Sequence, residues 1–439
     1  MPGHPRRHNR ICFAALLVMM PLPYAHAEDE PSCLDNVVEA GIDWEFIAYA
    51  EKAEIMQGSL NPGNLIAELP EQKELLEVRP DIRFECAPFT FALSPRLQAS
   101  RQKVEDFLHP DPEADSDDDA FVNAALVRVD IGTMWSLEAS RQALLWGPSL
   151  FFSPSNPFSR VNGRNTPYEE LKGKDFAIVR AFFGSSSVLS FYDNFAEGEA
   201  EDPISDFEHT YALTFEYTDF AWTATGLYSQ SESEQAFGGF GQYTLNDYIV
   251  LFTDLAVSKV DEDWLADTFP AAVQSGLIDM DRDWHAGITL GGSYSFTEGS
   301  NVSAEYYYNE NGLTDVQADA LLTTGQRVVD QLESGVFTQD FASDTNVLGQ
   351  VVALRQAALR QHYVAMQYNK NDIADRLDVV LRWTYGAADG GSLAVADFNT
   401  TVGENGRVFL TLLGTFGDDE AEFRQFYDYR ATLGASLTF

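Results

Sequence analysis

Charged side chains recur in this sequence within apolar segments, at every second position. In residues 127–131, Arg128 and Asp130 alternate with Val127, Val129 and Ile131. Because successive side chains of a β-strand point to opposite faces, each such segment would have one charged face and one apolar face. The residues assigned to charged faces are Arg128, Asp130, Lys174, Arg180, Glu216, Glu305, Asp378 and Arg382. Opposed charges on one face are stable only where water reaches them or where they pair, which predicts a wet or a salt-linked interior.

The histidines and short motifs give no support to metal or cofactor chemistry. His109, His209, His285 and His362 lie on separate segments, without the pair four residues apart that chelates zinc. There is no Gly-x-Ser-x-Gly elbow, phosphate-binding loop or dinucleotide motif. The net charge of −40 would repel nucleic acid and attract cations, although acidic loops at the surface explain it as well. We therefore expect no metal, no cofactor and no nucleic-acid partner.

The first 27 residues have the organisation of a secretory signal peptide. Basic residues precede an apolar stretch at residues 11–20, and Ala25-His26-Ala27 supplies small residues for cleavage. The apolar stretch is shorter than the roughly 20 residues that a membrane-spanning helix needs. We expect residues 1–27 to be removed and the mature chain to begin at Glu28.

The last segment of the chain is the clearest alternating one. One face carries Tyr429, Ala431, Leu433, Ala435, Leu437 and Phe439, and the other carries Arg430, Thr432, Gly434, Ser436 and Thr438. The first face suits lipid and the second suits water. This segment resembles the closing strand of Gram-negative outer-membrane proteins. The resemblance implies recognition by the barrel-assembly machinery, with Leu433, Leu437 and Phe439 as the signal.

Similar segments of about ten residues follow one another along the chain, with aromatic residues near their ends and short turns alternating with long connections. A clear example is 377–385, where apolar residues alternate with Asp378 and Arg382. The pattern predicts an all-β fold: a transmembrane antiparallel β-barrel of about 16 strands, with about 14 to 18 as the range. We assign residues 101–439 to this barrel and expect it in the outer membrane of a Gram-negative bacterium.

Residues 28–100 leave two alternatives open. Their segments 45–55, 75–85 and 89–98 have strand character, but Pro80, Pro88 and Pro95 interrupt them. This region therefore forms either the first strands or a small plug. Cys33 and Cys86 are predicted to pair as a disulfide, since the exported chain would meet an oxidising compartment.

Residues 313–359 break the β pattern, because their apolar residues recur at mostly helical spacing. We predict one long loop with one or two helices. The loop would either cap the mouth or fold into the lumen as a constriction, where Arg327, Arg355 and Arg360 would face acidic residues of the wall; packing on itself at the surface is the other alternative.

A second proline-rich connection carries the resemblance to a narrower family. Arg141-Gln142, Trp146-Gly147, Asn156-Pro157-Phe158 and the polar run 169–175 resemble a pattern of specialised porins, as do Asp389-Gly390-Gly391-Ser392 and residues 419–423. This resemblance implies a barrel that passes small molecules. The connection also holds Arg160, Arg164, Phe151, Phe152 and Phe158, which would form either a ledge at a constriction or a stiff external loop over the rim.

We expect from these observations an outer-membrane channel of the porin type, for passive or facilitated diffusion of small polar solutes, and not an enzyme. The expected partners are small solutes, membrane lipids with lipopolysaccharide, and the assembly machinery, with a homotrimer possible. Two alternatives remain: a plugged structural or secretion-associated barrel, and an outer-membrane lipid hydrolase or an uptake channel for apolar compounds. The hydrolase would need a serine beside His285 or His362 on the lipid-facing wall.

Overall fold

The fold was obtained as a computed structural model. The structure describes residues 41–160, 168–200, 207–278, 284–354 and 358–439. All of them belong to one compact unit, Ala40–Phe439. The predicted signal peptide and Cys33 lie outside the described residues.

The described residues form 18 antiparallel strands in a single closed sheet. Each strand pairs with the next one along the chain, and β1 also pairs with β18. Closure therefore leaves the sheet without an unpaired edge. The strands are β1 Ile42–Ile55, β2 Gln72–Cys86, β3 Phe89–Lys103, β4 Asp115–Ile131, β5 Trp135–Gln142, β6 Lys174–Phe183, β7 Ser187–Ala196, β8 Thr210–Thr218, β9 Trp222–Gln230, β10 Glu234–Asn246, β11 Ile249–Val260, β12 His285–Ser295, β13 Ser300–Asn309, β14 His362–Ile373, β15 Leu377–Gly386, β16 Ser392–Val402, β17 Gly406–Phe416 and β18 Tyr427–Thr438.

The two faces of the wall differ in the way that the alternation predicts. On β18 the exposed positions include Leu433 and Leu437, whereas Thr432 between β17 and β1 is buried. On β11, Leu251 and Leu255 are exposed while Asp254 is completely buried. We call the face with the exposed apolar residues the outer face and the opposite one the lumen face. The predicted transmembrane-type β-barrel architecture is confirmed.

The two rims of the barrel have different connections. At one rim, which we call the short-turn rim, strands are joined by turns such as 87–88, 132–134 and 403–405. At the other, the long-loop rim, the connections include 56–71, 143–173, 261–284 and 310–361. The short turns match the sequence prediction of one short-turn rim.

The described parts of the connections at the long-loop rim contain four helices: α1 Glu262–Thr268, α2 Pro270–Gln274, α3 Asp315–Ser334 and α4 Phe341–Leu354. Thr314 and Gln317 form a capping box at the start of α3, and Gly335 ends it in the left-handed conformation that glycine adopts without strain. Short 3-10 turns occupy Pro62–Asn64 and Glu422–Gln425. Among the described helices, none is both long and apolar enough to span a membrane.

The four helices and connection 56–71 share one apolar core, and we call this assembly the helical cap. The buried residues of this core include Leu60, Leu265, Phe269, Ala272, Leu321, Val328, Leu348 and Val351. Burying such side chains contributes about 1.5–3 kcal/mol each. The helical cap therefore holds together largely through its own packing, and Val260 at the end of β11 also packs against its core.

The strand number of 18 is at the upper end of the expected range, and the N-terminal region contributes three of these strands. Ile42–Ile55, Gln72–Cys86 and Phe89–Lys103 are strands of the wall and do not form a plug. The prolines fit at irregular points: Pro80 lies where the β2–β3 pairing skips residues 79–81, and Pro95 lies at a register shift against β4. Pro88 is in the turn between β2 and β3.

Candidate functional site

The connection between β5 and β6 folds into the barrel instead of remaining at the rim. We call its described residues, 143–160 and 168–173, the inner loop. Phe151, Phe152 and Phe158 are buried, although none of them lies in a strand. Their neighbours are lumen-face residues of β6, β12, β13 and β14. The inner loop is therefore the element that narrows the lumen.

Two buried carboxylates of the wall hold the first half of the inner loop. Glu305 on β13 accepts hydrogen bonds from the Ser149 hydroxyl at 2.8 Å and from the backbone N–H groups of Leu150 and Phe151. Asp254 on β11 accepts from the Ser153 hydroxyl and from the Ser155 backbone N–H at 2.9 Å. Hydrogen bonds to charged acceptors contribute about 1.5–3 kcal/mol each, so these two residues fix the loop against the wall.

Aromatic packing adds to these hydrogen bonds. The Phe152 ring stacks on Tyr307 with centroids 4.5 Å apart, and Phe158 meets Phe176 edge-on at 4.9 Å. Trp146 packs edge-on against Phe158 at 5.3 Å. Each aromatic pair is worth about 0.5–1.5 kcal/mol beyond the area it buries. The inner loop is thus seated by apolar contacts as well as by carboxylates.

Glycine is required at two positions where the loop approaches the wall. A Cβ on Gly287 of β12 would lie 2.7 Å from the Pro154 Cβ. Gly147 has φ +80, and a Cβ there would lie 2.7 Å from the Asp254 Oδ2. Both distances are shorter than van der Waals contact, so a larger residue at either position would displace the loop.

The second half of the inner loop contacts the other side of the barrel. The Tyr168 ring stacks on Phe409 of β17, and its hydroxyl donates to Asp397 of β16. Burial, together with this hydrogen bond, raises the pKa of Tyr168. Arg160, the last described residue of the first half, instead forms an ion pair with Glu234 of β10, and the nearby negative charge of Glu234 raises the pKa of the Arg160 guanidinium. The described halves of the loop therefore reach walls on different sides of the lumen.

An ion-pair network joins the end of the inner loop to β1, β2 and β3. Arg96 binds Glu170 of the loop and also Asp81 at 2.9 Å. Arg79 donates to Glu77 at 2.8 Å and to the Tyr168 carbonyl at 2.8 Å. Glu169 binds Lys73. Since both arginines are buried, their partners are needed to offset the cost of desolvation.

The buried carboxyl group of Glu422 lies where the helical cap contacts the barrel. Glu422 accepts hydrogen bonds from the Tyr363 hydroxyl at 2.6 Å and from the Leu359 N–H at 3.1 Å. Burial raises the pKa of Glu422 to about 7, with a further contribution from the charge of Asp389, while the two hydrogen bonds act in the opposite direction. This group consequently titrates near neutral pH.

All eight residues predicted on charged faces take lumen-face positions, but they do not form one site. Glu305 and Lys174 hold the inner loop, the latter by donating to the Phe158 carbonyl at 3.3 Å. Four others pair within the wall: Arg180 with Glu138 at 2.7 Å, Arg128 with Asp130 at 3.6 Å, and Arg382 with Gln367 at 2.9 Å. Glu216 and Asp378 lie near the short-turn rim, bonded to Thr218 and to the Asp372 N–H.

The sequence left open, for each of the two long connections, whether it enters the lumen or stays outside it, and the structure gives different answers for the two. The proline-rich one enters the lumen, with its three phenylalanines packed against the wall and Arg160 half-exposed; Arg164 lies outside the described residues. The connection containing 313–359 packs in the helical cap. Arg327 there binds Asp344 of α4, not the wall, with Nη2–Oδ1 at 2.9 Å. Arg360 lies 3.6 Å from Asp315 and 4.0 Å from Asp389, and Arg355 is outside the described residues.

The two histidines considered for a lipid hydrolase occupy different faces. His362 is on the outer face, where its Nδ1 lies 2.7 Å from the Tyr306 hydroxyl. His285 has a serine beside it, Ser258 at 2.6 Å from Nε2, but this pair is buried on the lumen face. Neither arrangement is the lipid-facing serine and histidine that the hydrolase alternative requires.

Residues that sequence reasoning missed include Asp254, Arg96 and Glu170. Asp254 follows the same alternation as the predicted set, with exposed Leu251 and Leu255 on the opposite face. The signal was masked because the lumen face of β11 also carries Phe252 and Ala256. Cys86 is disulfide-bonded. Its pairing with Cys33 stays a prediction.

Comparisons with known proteins found similar structures but no similar sequence family. No family model matches the chain, and no curated protein matches it in sequence. The structure is similar to that of Pseudomonas aeruginosa OccK11 (OpdR), with a TM-score of 0.51 and 11% identity over 92% of this chain and 97% of that one. It is also similar to OccK3 (OpdO) of the same organism, with a TM-score of 0.51 and 12% identity over 92% and 97%.

Acinetobacter baumannii OccAB2 has the same fold, with a TM-score of 0.50 and 10% identity over 92% of this chain and 98% of that one. These identities are low, so the similarity concerns the barrel architecture and its length. It agrees with the porin-type barrel expected from the sequence.

Proposed function

We propose that this protein is an outer-membrane channel for the diffusion of small polar solutes. The observation that carries the proposal is the inner loop: a segment pinned inside a closed barrel narrows the lumen, and lumen-face charges border it. A solute in the lumen meets hydrogen-bonding groups, which can replace part of its hydration shell. Size and polarity would therefore both decide what passes.

An outer-membrane location is supported by the outer face. Large apolar residues are exposed there, including Leu213, Phe215, Leu255, Leu410 and Leu433. Such a surface costs free energy in water and is stable in a hydrocarbon layer. The fold is that of outer-membrane porins. In this arrangement the short-turn rim faces the periplasm and the long-loop rim faces the exterior.

Further parts of the proposal concern assembly and partners. Leu433, Leu437 and Phe439 are exposed on the last strand, which suits recognition by the barrel-assembly machinery. Lipid and lipopolysaccharide would contact the outer face and the acidic long-loop rim, and a homotrimer would bury part of the outer face. We also propose that the eight lumen-face residues line the passage and that Cys33 pairs with Cys86.

A second candidate function is a plugged or gated barrel, and one observation favours it. The four helices of the cap share one apolar core at the long-loop rim, so the cap can lie over the mouth as one body. Passage would then require the cap to move. The two candidates differ in whether the protein conducts without any further change.

Proteoliposome swelling tests the proposal directly. Vesicles containing the purified protein are diluted into isotonic solutions of uncharged solutes of increasing size, from glycerol to a trisaccharide, with protein-free vesicles as the control. A channel narrowed by the inner loop gives fast swelling with the smallest solutes and a steep decrease with size. Swelling equal to that of the protein-free vesicles for every solute would contradict an open channel and favour the gated barrel.

A further inference from the structure

The lumen-face charges next to the inner loop are unequal in number and in exposure. Among the described residues, the carboxylates that bond to this loop or to its partners are Glu45, Glu77, Asp81, Glu169, Glu170, Glu234, Asp254, Glu305 and Asp397. The corresponding cationic residues are Lys73, Arg79, Arg96, Arg160 and Lys174. Acids remain in excess even if Asp254 and Glu305, both buried, are counted as neutral.

On the wall formed by β1, β2 and β3, the carboxylates are also more exposed than the arginines that bind them. The side chains of Arg96 and Arg79 are only 3% and 7% exposed. Their partners Asp81 and Glu45 are 51% and 35% exposed. The guanidinium groups of Arg79 and Arg96 lie behind these carboxylates, and the exposed Arg83 of β2 is paired with the similarly exposed Glu85. A solute in the lumen therefore meets unbalanced carboxylate oxygens on this wall.

The buried arginines have a structural explanation. Arg96 holds Glu170 and Asp81 together, and Arg79 donates to the Tyr168 carbonyl, so both fix the returning end of the inner loop. A guanidinium used in this way has few donors left for an anion in the lumen. These cations thus position the carboxylates instead of offering an anion site.

The opposite side of the lumen does not reverse the balance. Arg160 is the exposed guanidinium there, but Glu234 is bonded to it. Lys174 donates to the Phe158 carbonyl. The field at the inner loop is therefore set by the accessible acids of the β1–β3 wall, and a narrow passage with low-dielectric walls strengthens such a field.

We propose that the passage prefers cations and that its natural solutes are small organic cations carrying an ammonium or guanidinium group. The proposal rests on the channel function above and narrows it to one class of solute. It assigns no bound ion. Asp81 and Glu45 are the residues that determine the preference, because they are the most accessible acids of the network that are not part of the inner loop.

Reversal potentials in planar bilayers under a potassium chloride gradient test this. The wild-type protein should give the sign of a cation-preferring channel. The double variant Asp81→Asn with Glu45→Gln should still conduct, but its reversal potential should shift towards zero. The matched control is Asp118→Asn, an exposed residue at the long-loop end of β4, which should leave the reversal potential unchanged.

Three results would overturn the proposal. An anion-preferring reversal potential in an open channel would refute the cation preference and leave the channel function intact. An unshifted reversal potential in the double variant would show that these acids do not set the preference. Absence of any current, both in the full-length protein and after removal of the helical cap, would refute the channel function itself. Proteoliposome uptake of methylammonium in preference to acetate is the corresponding result expected with organic ions.

Discussion

Removing the negative charge of Glu305 tests whether the wall carboxylates hold the inner loop. One Glu305 oxygen accepts from Ser149 at 2.8 Å and from Phe151 at 3.3 Å, while the other accepts from Leu150. A glutamine has a single acceptor oxygen and an amide NH₂ in place of the second. In Glu305→Gln, at least one buried N–H group of the loop therefore loses its acceptor, which costs about 1–3 kcal/mol.

A loss of about 2 kcal/mol raises the population of a displaced inner loop roughly 30-fold relative to the seated state. Displacement widens the lumen, so single-channel recordings should show added current noise and longer visits to a state of higher conductance. Limited proteolysis should also cut the loop faster in Glu305→Gln, since the seated loop is buried against the wall.

The matched control is Glu216→Gln on β8. Glu216 is also a lumen-face carboxylate, but its hydrogen bond is to Thr218 and not to the inner loop. The current noise, the visits to a state of higher conductance and the rate of loop cleavage in Glu216→Gln should equal those of the wild type. Identical recordings and identical cleavage rates for Glu305→Gln and the wild type would refute the assignment of Glu305 as an anchor.

Three further predictions concern the seat of the loop, the helical cap and the buried acid between cap and barrel. Gly287→Ala places a methyl group 2.7 Å from the Pro154 Cβ and should change single-channel conductance while the barrel still folds, whereas Gly226→Ala, with nothing within 4 Å, should not. Replacing residues 315–354 with a short flexible linker should increase the initial swelling rate of proteoliposomes if the cap covers the mouth. The pKa of Glu422 is raised to about 7 from its usual value near 4.5, so its contribution to stability is full below that usual value and is lost as the pH rises through about 7. The wild-type melting temperature should accordingly fall between about pH 5 and pH 8, by an amount equivalent to at most about 3 kcal/mol, while that of Glu422→Gln changes less.

Each of these predictions has a result that would contradict it. Equal conductance in Gly287→Ala and the wild type would mean that the loop is not in contact with β12. An unchanged swelling rate after deletion of the cap helices would place the cap beside the mouth and not over it. Parallel melting curves of the wild type and Glu422→Gln across this pH range would exclude a buried, neutral Glu422.

The barrel wall was predictable because its signal is local. A strand with one lipid-facing side needs apolar residues at alternate positions, and β18 meets this need along its whole length. The N-terminal strands were harder to predict, because Pro80 and Pro95 suggest interruptions in a ladder. The structure accommodates both at irregular points of the pairing, which alternation cannot reveal.

The inner loop could not be located from sequence because its contacts are long-range. Glu305 was placed correctly on the lumen face, but its hydrogen bond to Ser149 joins residues 156 positions apart. Both long connections contain arginines and apolar residues. Their local sequences do not show which connection will find hydrogen-bond acceptors on the barrel wall. Asp254 was missed for a related reason, since Phe252 and Ala256 make the lumen face of β11 look apolar.

Single-channel recording of the purified full-length protein in planar bilayers tests the central claim most directly. A closed barrel narrowed by a pinned inner loop should give discrete, long-lived current steps of uniform size without any added ligand or nucleotide. Steps should vanish in preparations treated to unfold the barrel. A well-folded protein that inserts into the bilayer and carries no current, both with the helical cap and after its removal, would contradict the channel function.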